Sequence, residues 1–432
     1  MTDQATLKMR RNSWTGAVVL VFTLVLTSSD LHQSINNYFD WIVTALAMIL
    51  LLPYSIHESL LTSRTTEQQE EQEAGKSWWA APTQLPAALF LASICISGIY
   101  STDITATMVG LGKLAVILLL GLPAITARAR IARIAFYGLL VAVWINSAIM
   151  LGGMLAGGLT YGMVSPGRWG NILNYPGALW RLAITAWMFS AYLVIRRHSL
   201  RYVFLLIVST LLVFLDGART SFLLLGLGIV YLLAILGMEA RRFWKTMITA
   251  QIAAVALVGI FIIVAPELSQ QQNALARLSS TVSSLASGGA DNADMARSSM
   301  LKVATDAIQE HPVMGTGFTS TKDETPIGPM VVHITYLQVW ADLGLLGFVS
   351  YLWMVWGWIP WIPTALRRIR ALPDDRERAL YYNAIFLLFV FDVAGFFHPL
   401  STEWAQWIPF LVPYSLLWHI VRFRPQIGEV YV

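Results

Sequence analysis

Apolar runs of roughly 17 to 25 residues, the length of one membrane-crossing helix, recur along this chain with short polar joints between them. Barrel strands are much shorter, so the pattern predicts spanning helices. The expected spans lie near Trp14–Thr27, Phe39–Ile56, Leu85–Tyr100, Ile104–Ala124, Ala135–Leu155 and Ala178–Ile195. Two more meet at the hairpin LDGARTS, and a ninth covers Met247–Val264. The pattern then lapses over residues 267–332, which hold a helix-like stretch, ARSSMLKVATDAIQE, and the turn HPVMGTG. Apolar character returns at His333 and continues as span ten, HITYLQVWADLGLLGF, to the basic run RRIR. Span eleven ends near Phe397, and span twelve covers Trp404–Val421. The fold class is therefore all-α integral membrane. One polytopic domain, 1–432, is expected to carry about twelve transmembrane helices and one large loop, 267–332, containing short helices.

Composition agrees, with 56% of residues hydrophobic and 12% charged, half the charge of an ordinary soluble domain. The first apolar run has no small-residue cleavage site and reads as a signal anchor. The single cysteine, Cys95, lies inside an apolar run, so neither a disulfide nor a thiolate metal site is expected. Basic residues add a direction. Of the 29 lysines and arginines, all but Lys113, Arg168, Arg181, Arg219, Arg277, Arg297, Lys302 and Lys322 fall on alternate joints and the two termini. By the positive-inside rule those joints and both termini are cytoplasmic. The large loop, the Gly/Pro-rich joint GGLTYGMVSPGRWGNILNYPG and LDGARTS then share the outer face.

Candidate chemistry gathers on that face. Arg219 sits in a very short outer hairpin, where the rule disfavours it. It either snorkels to the headgroups or faces a cavity and holds an anion, for which its planar fork suits phosphate oxygens. Asp216 could orient it, and Arg168 on the Gly/Pro joint is a possible supporting residue. Arg297 opens the loop helix, with Asp291 or Asn292 as a cap and Leu301, Ala304 and Ile308 on its face. His333 is either a hydrogen-bonding residue at an interface or a proton acceptor suited to neutral pH. Tyr336 and Leu337 share its turn. Asp342 and Asp392 are carboxylates in apolar runs, which normally face a bundle interior and pair, with Lys113, Arg181 or a tyrosine as possible partners. HExxH, P-loop and GxSxG motifs are missing, and Asp291 and Asp294 form no D-x-D pair. No metal or cofactor is expected, and no basic-aromatic pattern suggests nucleic acid.

These pieces resemble the signature of the O-antigen ligase and O-antigen polymerase superfamily of bacterial inner-membrane glycan transferases. That signature has an arginine before a helix and a P-x-x-G-x-G turn, then His-Asn-x-x-Leu, an acidic residue and a Gly-x-x-Gly pair. Arg297, Pro312, Gly315, Gly317, His333, Leu337, Asp342, Gly344 and Gly347 fill those places. GARTS resembles the family's S-R-x segment and supplies Arg219. RWGNILNYPGALW is a looser match to an outer joint with an N-P-N-like run. Ile334 stands where the family has asparagine, and Asp342 where glutamate is commoner.

The resemblance implies metal-independent glycosyl transfer on the periplasmic face of a bacterial inner membrane, from an undecaprenyl-diphosphate-linked glycan. Arg219 and Arg297 would bind the diphosphate, His333 would act as base, and direct displacement would invert the anomeric centre. The acceptor would be lipid A-core for a ligase, in lipopolysaccharide biosynthesis. For a polymerase of O-antigen, capsule or exopolysaccharide it would be a second lipid-linked repeat unit. One dominant outer loop leans toward ligase. Membrane lipids, and other polysaccharide-assembly proteins, are the remaining expected partners. A transporter or flippase is the rival class, with Lys113, Asp342 and Asp392 as an ion relay, but no inverted repeat is visible.

Overall fold

A computed structural model describes residues 15–29, 42–43, 46, 83–101, 103–126, 129–158, 160–165, 167–239, 292–325 and 328–422. Expected span nine lies outside these residues, as do nearly all of span two and the large loop before residue 292, including Arg277 and Asp291. The apolar runs fold as helices: α1 (Thr15–Leu26), α2 (Gln84–Gly98), α3 (Ile104–Thr126) and α4 (Ala129–Gly157). After a short antiparallel pair, β1 (Met163–Ser165) and β2 (Arg168–Trp169), come α5 (Leu179–Arg197), α6 (Leu200–Asp216) and α7 (Arg219–Glu239). The described part of the large loop contributes α8 (Asn292–Glu310) and a hairpin of β3 (Lys322–Thr325) and β4 (Gly328–Val331). Next are α9 (Thr335–Trp356), α10 (Ile362–Ala371), α11 (Asp375–Ala394) and α12 (Trp404–Arg422).

Local chemistry sets several boundaries. Asp103 accepts the Ala106 N–H at 2.9 Å and caps α3, and Asp374 accepts the Arg376 N–H at 3.1 Å at the start of α11. Helix α4 begins at Ala129, six residues before the expected Ala135 (135 − 129), so the basic joint is its first turns. Ala, Arg and Ile favour helix there, and Arg133 is held by Glu377 at 3.0 Å and Tyr381 at 3.1 Å. Within α3, Val116–Gly121 winds as a π-helix just before Pro123. A Cβ on Gly121 would overlap the Trp404 ring packed there.

Helix α5 is the hub. It packs on α4, α6, α7 and α11, and Leu179–Leu193 is buried apart from Arg181. Phe189 meets Phe136 of α4 with ring centroids 5.5 Å apart, and Tyr192 meets Tyr382 of α11, also at 5.5 Å. A helix enclosed by other helices faces no lipid, which is why α5 tolerates Arg181, Thr185 and Ser190 in its length.

The largest departure from expectation is in span ten. A continuous helix would separate Tyr336 and Trp356 by roughly 30 Å along its axis, at 1.5 Å per residue. Instead their ring centroids are 5.6 Å apart, and Tyr336 also lies 6.0 Å from Tyr351. The chain reverses at Gly344, with φ 67° and ψ −168°. Span ten is a helical hairpin, 335–343 folded back on 345–356. Gly347 lets its two arms touch, since a Cβ there would overlap Leu343 and come within 2.9 Å of Ser93 Oγ on α2.

Four stretches, Ile104–Thr126, Ala129–Gly157, Arg219–Glu239 and Thr335–Ala371, are long and apolar enough to cross a membrane. The structure is mostly helical and, among the described residues, has no closed barrel. Four such stretches do not establish the expected count of about twelve. Helices α1 and α2 are apolar but short, and the fold-back at Gly344 makes 335–371 reach less far than its length suggests.

Candidate functional site

One end of the bundle collects the ends of α6, α11 and the starts of α5, α7, α9 and α12. Asp216, the last residue of α6 and fully buried, accepts the Gly177 N–H at 2.8 Å and the Trp180 N–H at 3.2 Å through Oδ2. It therefore caps α5 and ties the Gly/Pro joint down. Its Oδ1 is buried without a hydrogen bond among the described residues. Gly217 follows at φ 66°, and a Cβ there would overlap the Gly167 carbonyl. Only a glycine closes this turn, which starts α7 at Arg219, a half-buried residue. Arg168 lies against the same turn, its Nε 3.5 Å from the Asp216 carbonyl.

The Gly/Pro joint is itself fixed by a knot of asparagines. Asn171 and Asn174 both donate to Asn146 Oδ1 at 3.0 Å. Asn174 Oδ1 accepts from the Ser29 N–H and hydroxyl at 3.1 and 3.0 Å, and Asn171 Oδ1 accepts the Leu173 and Asn174 N–H groups.

Residues 312–317 close over the tip of the α9 hairpin. Thr316 and Gly317 N–H groups donate to the Ala341 and Asp342 carbonyls, each at 2.9 Å, and Leu345 N–H donates to the Pro312 carbonyl at 3.0 Å. Both broken helix ends are thus satisfied by one turn. Gly315 and Gly317 have φ of 72° and 106°, and a Cβ on Gly315 would overlap the Asp342 carbonyl. The Asp342 side chain, 1% exposed, accepts the Thr319 and Thr321 N–H groups, both at 2.9 Å. Gln338, 3.5 Å from that carboxylate, accepts the Leu400 N–H at 2.8 Å.

His333 stands between β4 and α9. Its Nδ1 is 2.8 Å from the Val331 carbonyl. A carbonyl can only accept, so Nδ1 donates its proton there and Nε2 is the ring nitrogen left for another partner. Two residues on, Thr335 gives its N–H and its hydroxyl to the His398 carbonyl, at 3.0 and 2.7 Å. His398 stacks on Trp180, with ring centroids 5.8 Å apart. This chain of contacts links His333 to the Asp216 cluster. Helix α8 packs beside it, with Ala304, Val332 and Ala341 forming a buried patch and Ile308 and Leu337 against it. The backbone puts Arg297 seven residues before Ala304 on the same helical face. Leu301, expected on that face, is 45% exposed, and Met300 is buried instead.

The remaining candidates lie deeper. Tyr336 donates its hydroxyl to the Asp392 carbonyl at 2.7 Å. Asp392 accepts from the Trp358 indole at 3.2 Å. Neither Asp342 nor Asp392 pairs with Lys113 or Arg181, because Lys113 is taken by Glu403 at 3.0 Å. Sequence reasoning did not single out His398, and named Arg181 only as a possible partner of a carboxylate. The HPLSTE run after span eleven was the available signal, but it reads as an ordinary joint. Among the described residues no three His, Cys, Asp or Glu side chains converge.

Residues 202–352 match the family model described as O-antigen ligase. No curated protein matches the chain. Over this domain, 202–352, the chain is therefore similar to the O-antigen ligase and polymerase superfamily, whose members are membrane enzymes that act on glycans. The match includes Asp216, Arg219, Arg297, His333 and both hairpin glycines; Arg168, Arg181, Asp392 and His398 lie outside it.

Proposed function

Proceeding from that domain, we propose that the protein transfers a glycan from undecaprenyl diphosphate to an acceptor hydroxyl. In this reading the acceptor oxygen attacks the anomeric carbon as the bond to the diphosphate oxygen breaks, so the configuration inverts. His333 Nε2 takes the acceptor proton. Arg219 and Arg297 stabilise the charge that develops on the departing undecaprenyl diphosphate. Asp216 and Arg168 support the turn that presents Arg219, and Asp342 the loop beside His333. Tyr336 and Asp392 hold the foot of the α9 hairpin. The active site is periplasmic, both termini are cytoplasmic, and the membrane is the bacterial inner membrane.

The observation that carries the reading is the orientation of His333. Its Nδ1–H is committed to the Val331 carbonyl, so Nε2 is the nitrogen that can meet an acceptor hydroxyl. A ligase is the favoured form, with lipid A-core as acceptor; extension of lipid-linked repeat units would mark a polymerase. The test is purified protein in nanodiscs with an undecaprenyl-diphosphate glycan, either acceptor and excess chelator. Extended product is expected with chelator present. Product that vanishes with chelator refutes the metal-free mechanism, and no product with either acceptor favours the transporter class.

A further inference from the structure

A cavity of about 50 Å³ opens between the starts of α5, α9 and α12 and the end of α11, lined by Trp180, Arg181, Thr335, His398, Ser401 and Gln406 among others. One water needs roughly 10–15 Å³ of such space, so a few waters or one phosphate group would fill it. The Arg181 guanidinium lies 4.9 Å over the Trp180 ring and gives one N–H to the Gly177 carbonyl at 3.2 Å. Among the described residues no carboxylate is within salt-bridge distance of it. Asp216 is committed to Gly177 and Trp180 instead. Trp180 is fully buried, and its indole N–H has no partner among the described residues. A guanidinium offers five N–H donors, and a desolvated charge is costly unless paired. A hydroxyl (Ser401) and an amide (Gln406) in the same lining add further hydrogen-bonding groups. A compact anion rich in oxygen matches this set of donors.

We infer that this cavity is a phosphate subsite for the polyprenyl-diphosphate donor, with Arg181 as its cation. This rests on the transfer reading for the source of the phosphate. It adds a binding residue outside the matched segment, joined to His333 through the contact of Thr335 with His398. The donor phosphate would take guanidinium donors that the Gly177 carbonyl leaves over, while the two indole-lined walls (Trp180 and Trp407) exclude water.

The test is equilibrium binding of undecaprenyl diphosphate and of uncharged undecaprenol to the full chain in zwitterionic nanodiscs. Wild type should prefer the diphosphate at least tenfold. Arg181→Gln should lose that preference, Arg181→Lys should recover only part of it, and undecaprenol binding should not change. Gln406→Glu supplies an internal carboxylate in the cavity lining. It should melt no lower than wild type and lose the same tenfold, which decides the matter should Arg181→Gln fail to fold. Inorganic pyrophosphate should compete, whereas competition by phosphatidylglycerol alone would make this a headgroup site and overturn the inference. Wild-type diphosphate affinity in both Arg181→Gln and Gln406→Glu, with transfer intact, also overturns it and leaves the transfer reading standing. A wild type that neither transfers glycan nor prefers the diphosphate removes both.

Discussion

Where α5 ends and α11 begins, arginines meet acids. Arg196 pairs with Asp375 at 3.3 Å, Arg197 with Asp374, Arg378 with Asp375 at 3.1 Å and Arg133 with Glu377 at 3.0 Å. At the opposite end, where α5 begins, Arg168 and Arg181 reach main-chain carbonyls instead, and the one acid between them is spent on capping a helix. The same residue type has been placed in two settings. Acid-paired guanidiniums are neutralised within the protein and clamp α5 and α4 to α11. Carbonyl-bound ones keep their charge and most of their donors. A cation that the fold positions without a salt bridge can serve a ligand, and this is the end where His333 Nε2 also lies.

The contrast can be broken by experiment. The largest effect is expected on transfer. Arg219→Ala and Arg297→Ala should each abolish product while the protein still inserts, and Arg219→Lys should recover little because a point charge lacks the bidentate fork. Near-normal transfer by Arg219→Lys would reduce that arginine to an anchor. His333→Gln should slow the chemical step by roughly 10² to 10⁴ and spare donor binding; an active His333→Gln removes the base.

Sidedness comes next. In a Cys95→Ser background, cysteine at Lys322 should react with an impermeant thiol reagent added to spheroplasts, and cysteine at Ala371 should not. Labelling at 371 would put the acid-paired end outside and reverse every assignment of side. The Asp342→Asn exchange should act on the hairpin tip, because an amide cannot accept both the Thr319 and Thr321 N–H groups. A stability loss of about 1–3 kcal/mol is expected for the orphaned donor, read as a lowered melting temperature. The smallest effect belongs to the acid-paired end. Asp375→Asn should cost about 1 kcal/mol or less, since these pairs are partly exposed, with an unchanged transfer rate per folded molecule. A large loss of transfer from Asp375→Asn would end the distinction between the two ends.

Among the described residues most helix positions were legible, because a membrane-crossing helix needs one long apolar run. The motif turn does close on span ten: Gly315 lies against Gly344, while Pro312 and Gly317 bond to Leu345 and Asp342 beside it. What the sequence hid is that the meeting reverses the chain. Gly344 inside an apolar run looks like one more small residue in a span, and its φ depends on carbonyls about thirty positions upstream. The β3–β4 hairpin was hidden for a similar reason: its strands are four residues each, too short for an alternation to register. His398 and Arg181 lie more than two hundred positions apart and both contact Trp180, so no local pattern joins them. Cross-chain pairing also explains Lys113, whose partner Glu403 lies in a joint and not in a span.

The asparagine knot bears on how fast a ligand can be caught. Every amide oxygen in it is used, and it ties residues 171–174 to α4 and to the end of α1 before anything binds. Arg168, three residues before Asn171, and Arg181, in the first turn of α5 seven residues after Asn174, therefore flank a loop that has already given up its freedom during folding. A ligand arriving by lateral diffusion meets donors in place and owes little ordering entropy on contact. Loosening the knot, as by Asn174→Ala, should consequently appear as a slower association step and a more negative binding entropy rather than as a lost contact.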